Sequence, residues 1–234
     1  MRKILLFLCL ALSSTIFAQL PRDLLNTIKK DYTFEDYSGN IYMTSGYKDA
    51  NVIHEKSTTF DAKLRYNIHT DALEYDSGSQ LYELVKKPTI HARIDGDYFY
   101  YCTFESQRGV DRSGYYILVE LSNGYSIYKR LTLKIREPRN GVGVGAPIES
   151  GAVRSSTTYY LEEAGVIMEL PMSKKDMLAV FNDKENELKE YLKKEKIRLR
   201  KEEDLVRLVA RYNALKSSGS ASSQSLLSNR VDRN

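Results

Sequence analysis

The middle of the chain alternates apolar and polar residues with a period of two, and this pattern constrains the fold most. The clearest run covers residues 125–136, where apolar side chains fill most odd positions and only Lys129 breaks the rule. Shorter runs of the same kind cover residues 63–69 and 89–95. Successive side chains of a strand point to opposite faces, so the pattern predicts strands with one face on a core and the other in water.

Two dipeptides predict where these strands turn. Asp95-Gly96 and Asn123-Gly124 each separate two alternating runs, and both pairs suit two-residue hairpin turns, whose central positions need positive φ. Residues 37–137 are therefore predicted to form an antiparallel β-meander, as a sheet or an open barrel. A further hairpin is predicted around Ala164-Gly165, which gives about seven to ten strands in all.

Helical signals flank the strands, so the predicted fold class is α+β. Leu24, Leu25 and Ile28 follow Pro21 and predict an N-terminal helix within residues 19–36. At the other end, a hairpin and two or three helices are predicted within residues 157–216. The last helix carries an apolar stripe at helical spacing, which is expected to pack on the sheet or other helices, or else to meet a membrane or partner. This stripe consists of Leu205, Leu208, Val209 and Tyr212.

The remaining segments have distinctive compositions. Residues 1–18 combine a basic start, an apolar core and a final Ala18, the pattern of a secretory signal peptide. Residues 138–156 are rich in Gly and Pro, including the run from Gly141 to Gly145, and are predicted to be a loop. Residues 217–234 are rich in serine and are predicted to be a disordered tail.

Charge and cysteine usage exclude several classes of function. Loss of the signal peptide removes Arg2 and Lys3 and lowers the formal charge from +4 to +2, which argues against a nucleic-acid partner. The same cleavage removes Cys9 and leaves Cys102 as the one cysteine, so no intramolecular disulfide can form. The Cys102 neighbourhood is aromatic, and a buried structural thiol is expected there. No histidine pair has metal-ligand spacing, so neither a metal nor another cofactor is predicted.

The aromatic composition supplies the candidate surface. The chain has 18 Tyr and no Trp, and most tyrosines fall in the predicted strands, where packing explains many of them. Those on the outward faces, with neighbouring basic residues, are candidates for binding a protein or glycan partner in the envelope. The candidate residues are Tyr116, Tyr128, Arg65, Arg93, His69 and His91.

Two alternatives remain open beside a non-enzymatic binding or structural module. The first is a periplasmic enzyme of hydrolase type, with its polar site on the sheet face near His69 and His91. No catalytic residue is assigned, because no pair of carboxylates or nucleophile motif is selected by its spacing. The second is a membrane-surface protein that uses its C-terminal amphipathic helix; no transmembrane span is predicted once the signal is cleaved.

Three segments also carry a family resemblance. Phe17-Ala18-Gln19, residues 63–75 and the C-terminal region from Phe181 to Asn213 resemble an uncharacterised family of exported proteins common in Bacteroidota. The resemblance implies a periplasmic or outer-envelope location, and the family has no established activity or catalytic residues to carry over to this chain. The run from Gly141 to Gly145 departs from the family pattern.

Overall fold

Twelve strands and three α-helices form the fold in the computed structural model, which describes residues 20–30, 32–56, 58–139, 149–218 and 225–227. The predicted signal peptide and the Gly141–Gly145 run lie outside the described residues. The strands are β1 (Leu25–Thr27), β2 (Tyr37–Ser38), β3 (Lys48–His54), β4 (Thr59–Asn67), β5 (Ala72–Asp76), β6 (Leu81–Leu84), β7 (Ile90–Ile94), β8 (Asp97–Ser106), β9 (Asp111–Ser122), β10 (Tyr125–Arg136), β11 (Gly151–Glu163) and β12 (Val166–Leu170). The helices are α1 (Lys174–Val180), α2 (Glu185–Lys194) and α3 (Glu202–Ser217), all in the C-terminal part.

All twelve strands belong to one mixed sheet, and β8 joins its two halves. On one side of β8 the order is β7, β3, β4, β5, β6 and β1. On the other side β8 pairs with β9 and, in parallel, with β12, so that β8 to β12 close into a ring of five strands. A second parallel pair joins β2 to the start of β11.

The predicted antiparallel meander with an N-terminal helix is wrong in both parts. The sheet is mixed, because β2–β11 and β8–β12 are parallel pairs between distant segments that no local periodicity reveals. Residues Arg22–Leu24 form a single 3-10 turn and Leu25–Thr27 form β1, which pairs with β6. So short a helix is marginal on its own, whereas the strand pairing satisfies the backbone and buries Leu24 in the core.

Three apolar clusters stabilise the molecule. The first packs on one face of the sheet formed by β1 and β3 to β9, and it includes Val52, Leu64 and Phe99. The second fills the ring of five strands, to which each strand contributes at least one side chain; its members are Phe104, Tyr116, Tyr160 and Ile167, with Cys102 and Tyr128 at the margin. The third lies between the outer face of the ring and the helices.

The C-terminal helices are fastened to the ring through this third cluster. Ser173 caps α1 by accepting a hydrogen bond from the Asp176 amide, a role that serine commonly takes at the start of a helix. The α3 stripe from Leu205 to Tyr212 is buried in the cluster, so its apolar face is occupied by the protein itself. Among the described helices, none is long and apolar enough to cross a membrane.

Part of the segment predicted to be a tail also packs here. The α3 helix extends to Ser217, and Leu226 and Leu227 are only 5% and 7% exposed in the third cluster. Glu163 holds them, since its Oε2 accepts hydrogen bonds from both leucine amides and from the Ser225 hydroxyl.

The Asp71 carboxylate holds the β4–β5 turn where β10 separates from β9. It accepts a hydrogen bond from the Tyr66 hydroxyl at 2.6 Å and from the Tyr115 amide at 3.2 Å, and it pairs with Arg130 at 3.2 Å. Asp71 and Arg130 can come this close to β9 only because residue 114 is glycine, since a Cβ there would overlap both side chains. Asp71 thus bridges β4, β9 and β10.

We expect Asp71→Asn to destabilise the protein by about 2–3 kcal/mol, because the amide group replaces an acceptor oxygen with a donor and removes the charge that pairs with Arg130. Asparagine tolerates the positive φ of 51° at this position, so backbone strain is not introduced. Urea unfolding measures the change. Asp49→Asn is the control, because the Asp49–Lys63 pair is exposed and its loss is expected to cost under about 0.5 kcal/mol. Equal effects of the two substitutions would contradict the role of Asp71.

Candidate binding surface

Two rows of cross-strand neighbours lie on one face of the sheet around β7. The register aligns Asp61, Asn51, Arg93 and Tyr98 across β4, β3, β7 and β8. The next row aligns Ile53, His91, Tyr100 and Tyr116 across β3, β7, β8 and β9. Cross-strand partners share a face of the sheet, so these side chains form a continuous surface that leads into the ring.

Four of these side chains stack on one another, and we call them the ladder: Arg93, Tyr98, Tyr100 and His91. The Arg93 guanidinium lies 5.3 Å from the Tyr98 ring centre. The rings of Tyr98 and Tyr100 are inclined by 20° with centres 6.5 Å apart, and His91 stacks on Tyr100 at 4.8 Å. Arg93 is exposed, and both tyrosines are half-buried, so the ladder is partly open to solvent.

A groove of about 420 Å³ begins at the Arg93 end of the ladder. Its polar groups include both hydrogen-bond donors and acceptors, and the Asn51 amide donates to Asp61 at 2.7 Å. Lys48 and Lys63 neutralise two of its carboxylates, at 3.6 and 3.5 Å. The lining residues are Asp49, Ala50, Asn51, Asp61, Ala62, Arg93, Asp95 and Gly96.

His91 is the buried end of the ladder. It is 9% exposed, and its Nδ1 is buried without a hydrogen bond and lies 4.0 Å from Glu55 Oε1. Burial lowers the pKa of His91 from 6.5, and the nearby Glu55 opposes that change only in part. His91 is therefore neutral at pH 7 and acts as an aromatic ring rather than as a cation.

Tyr116 and Tyr128, both predicted surface residues, lie inside the ring of strands. Tyr116 is fully buried and its ring contacts those of Phe104, Tyr128 and Tyr160 at 5.0–6.1 Å. Burial raises the pKa of Tyr116, and it raises that of Tyr128 to about 12. Tyr116 therefore packs the interior, and Tyr128 lies at its margin, half-buried like Tyr98 and Tyr100.

Arg65 shares the face of β4 with Asp61 but is covered. Its guanidinium lies between the rings of Tyr42 and Tyr47, at 3.5 and 4.5 Å from their centres, and pairs at 2.8 Å with the fully buried Glu74. Glu74 also accepts a hydrogen bond from Asn67. Through these cation–π contacts, Arg65 holds the segment that carries Tyr42 and Tyr47 against the sheet.

The structure separates the two histidines that sequence analysis placed on one surface. His69 is exposed in the β4–β5 turn, against the rings of Tyr32 and Phe34 at 5.1 and 5.0 Å. His91 lies opposite Ile53 near the end of β3, whereas the β4–β5 turn follows the β4 residues that pair with the start of β3. The two imidazoles are therefore at opposite ends of β3 and share no site.

Tyr98 and Tyr100 belong to the site but were not among the predicted residues, although the turn between β7 and β8 could have identified them. A two-residue turn at Asp95-Gly96 pairs Ile94 with Asp97, and this register brings Arg93 opposite Tyr98 and His91 opposite Tyr100. Asn51 and Asp61 carry no such signal, because β3 pairs with β7 although three strands, β4 to β6, separate them in the chain, and local sequence does not predict that pairing.

Neither metal ligation nor thiol chemistry is supported by the described residues. They contain no group of three His, Cys, Asp or Glu side chains that would hold a metal ion. Burial raises the pKa of the Cys102 thiol to about 11, which leaves it protonated at neutral pH. Comparison with known proteins adds no function, since no family model, curated protein or solved structure matches the chain.

We expect the His91 ring to titrate below 6.5, because burial disfavours its charged form. The unfolded chain then binds the proton more tightly, so stability falls as the pH is lowered from 6.5 toward the pKa of the folded protein, and His91 contributes no pH dependence well above 6.5. NMR titration of the imidazole measures this. Glu55→Gln should lower the pKa further, while Glu120→Gln, a half-buried carboxylate on β9, should leave it unchanged. A midpoint at or above 6.5 would contradict the assignment.

Proposed function

We propose that this protein is an exported envelope protein and a non-enzymatic binding module, whose ladder and adjoining groove bind a neutral glycan. The observation that carries the proposal is the juxtaposition of half-exposed stacked tyrosines with a groove lined by donors and acceptors. The signal-peptide pattern at residues 1–18 supports export, and the family resemblance supports a periplasmic or outer-envelope location.

The chemistry of the groove favours a sugar over other ligands. Sugar hydroxyls both donate and accept hydrogen bonds, and the groove supplies carboxylate acceptors, a guanidinium donor and an amide that does both. Sugar rings also bring C–H groups that pack against aromatic side chains, and Tyr98 and Tyr100 lie partly exposed beside the groove. A volume of about 420 Å³ is within the range of ligand pockets.

The charge balance favours a neutral glycan. Asp49, Asp61 and Asp95 line the groove with Arg93, and Lys48 and Lys63 pair with two of these carboxylates. Three acidic and three basic groups therefore balance, so that neither an anionic nor a cationic ligand gains from the local field.

The geometry weighs against the two alternatives. A hydrolase centred on His69 and His91 would need the two side chains to converge, and they lie at opposite ends of β3. A membrane-surface role for α3 would need a free apolar stripe, whereas Leu205, Leu208 and Val209 are fully buried in the protein.

Binding is tested on an array of neutral oligosaccharides, followed by calorimetry on the best binder. We expect Tyr98→Ala and Tyr100→Ala each to weaken binding about tenfold, because each removes an aromatic contact worth about 1–1.5 kcal/mol. Arg93→Ala should weaken it to a similar degree by removing a donor.

Tyr191→Ala is the matched control, since Tyr191 is a half-buried tyrosine on α2 that packs against the helical cluster. It should leave affinity unchanged. An array without any binder, or equal losses in Tyr98→Ala and Tyr191→Ala, would overturn the proposed ligand.

Export has a separate test. When the full chain is expressed in a bacterial host with an envelope, the mature protein should begin at Gln19, because cleavage after the small residue Ala18 is expected. Mass spectrometry of the purified protein measures its terminus. A protein that keeps residues 1–18 and remains in the cytoplasm would contradict export.

A further inference from the structure

The strands β10 and β11 continue beyond the ring as a two-stranded ribbon. Pairing between β9 and β10 ends at Lys129, while β10 extends to Arg136 and stays paired with β11 as far as Arg136 opposite Ala152. One edge of β10 is therefore unpaired over residues 131–136, as far as the described residues show. The opposite edge of the ribbon is partly covered, since β2 pairs there with the start of β11.

The register shows which backbone groups this edge presents. The two-residue turn at Asn123-Gly124 makes Ser122 and Tyr125 a hydrogen-bonded pair, and from there the odd-numbered groups of β10 point toward β9. On β9, a register shift between the Ile127–Glu120 and Tyr128–Leu118 pairs moves the count by one residue, so the Tyr115 amide also points toward β10. It is this amide that Asp71 binds. The N–H and C=O groups of Leu131, Leu133 and Ile135 therefore point off the open edge.

The side chains of this edge strand alternate in a way that selects a partner. The odd positions are apolar: Leu131 and Leu133 are half-buried against the first cluster, and Ile135 is 39% exposed. The even positions are Arg130, Thr132, Lys134 and Arg136, so one face of the strand is cationic. A strand paired with this edge would bury apolar side chains on one face and meet positive charge on the other.

Charge is concentrated at the middle of the ribbon. Lys134 lies directly opposite Arg154 on β11, and like charges in this arrangement repel. Arg130 and Arg136 pair with Asp71 and Glu149, but neither Lys134 nor Arg154 has an ion pair with any described residue. An acidic side chain placed beside them would relieve the repulsion.

The same charges disfavour a second copy of this chain as the occupant. Antiparallel pairing of two β10 edges places even positions opposite even positions, so that Arg130, Lys134 and Arg136 of one copy would meet one another or Thr132 in the other. Every such register brings cations together, which costs free energy.

We propose that residues Leu131–Arg136 form a docking edge for an extended segment of another protein that has acidic residues at alternate positions. The segment adds as a strand beside β10: its backbone pairs with the outward groups of Leu133 and Ile135, and its acidic side chains lie against Lys134 and Arg154. Such strand addition takes affinity from main-chain hydrogen bonds and specificity from alternate side chains. The edge does not involve the ladder or the groove.

The test uses two capped ten-residue peptides as probes, one of alternating valine and glutamate and one of alternating valine and lysine. Hydrogen exchange of the full mature protein is followed by NMR at each amide. We expect the acidic probe to slow exchange of the Leu133 and Ile135 amides at least tenfold, and the basic probe to leave them unchanged. The Thr132 and Lys134 amides, which face β11, should change little with either.

Two variants sharpen the test. The double variant Lys134→Glu with Arg154→Glu reverses the charge on exposed side chains and should transfer the protection from the acidic to the basic probe. Ile135→Pro removes one outward N–H without breaking a bond to β11 and should weaken binding of the acidic probe. Lys189→Glu, an exposed charge reversal on α2, is the control and should behave as the unmodified protein.

Three results would overturn the proposal. One is protection by neither probe; another is equal protection by both, which would mean that charge does not select the partner. The third is protection that rises with protein concentration in the absence of any peptide, which would identify a second copy as the occupant. Because glycan binding is measured at other residues, failure of the docking edge is distinguishable from failure of the proposed function.

Discussion

The arrangement of the sheet depends on one carboxylate inserted between two strands. Asp71 accepts the Tyr115 amide hydrogen bond that a neighbouring strand would otherwise take, and it pairs with Arg130 on β10. The β4–β5 turn is held against β9 by these contacts, which helps to enclose the first apolar cluster. Because β10 is displaced from β9 at the same point, it leaves the sheet as a ribbon. A single polar insertion thus both completes one core and opens one edge.

The excess of tyrosine has several physical causes rather than one. Tyr116, Tyr128 and Tyr160 pack the ring of strands, where their large rings fill a narrow interior. Tyr42 and Tyr47 enclose the Arg65 guanidinium. Tyr98 and Tyr100 are half-buried beside the groove that Arg93 lines. The tyrosine-rich composition suggests a broad aromatic surface, but these tyrosines serve three different purposes: interior packing, enclosure of a cation and one small, partly exposed stack.

Local patterns in the sequence predicted the local structure well and the long-range pairing poorly. Alternation and the Asp95-Gly96 and Asn123-Gly124 turns predicted the β7–β8 and β9–β10 hairpins. The parallel pairs β2–β11 and β8–β12 could not be predicted, since each joins segments that are distant along the chain. The N-terminal helix was predicted wrongly because the spacing of Leu24, Leu25 and Ile28 suits a helix locally, while β6 offers backbone partners. The same holds for the candidate site. The turn at Asp95-Gly96 sets the register that pairs His91 with Tyr100, so this pair could have been predicted from the sequence. The contribution of β3 and β4 could not, because the β3–β7 pairing is not local.

The closure of the ring of strands has a mechanical consequence. Four of its five strand contacts are antiparallel and extend over five or more residue pairs, but β8 and β12 meet through two pairs only, Val166 with Glu105 and Ile167 with Ser106. Local opening follows the segments with fewest cooperative contacts, so this junction is a seam at which the ring separates first. Solvent then reaches the aromatic interior and Cys102 by parting two short stretches of backbone, while the first and third apolar clusters stay intact.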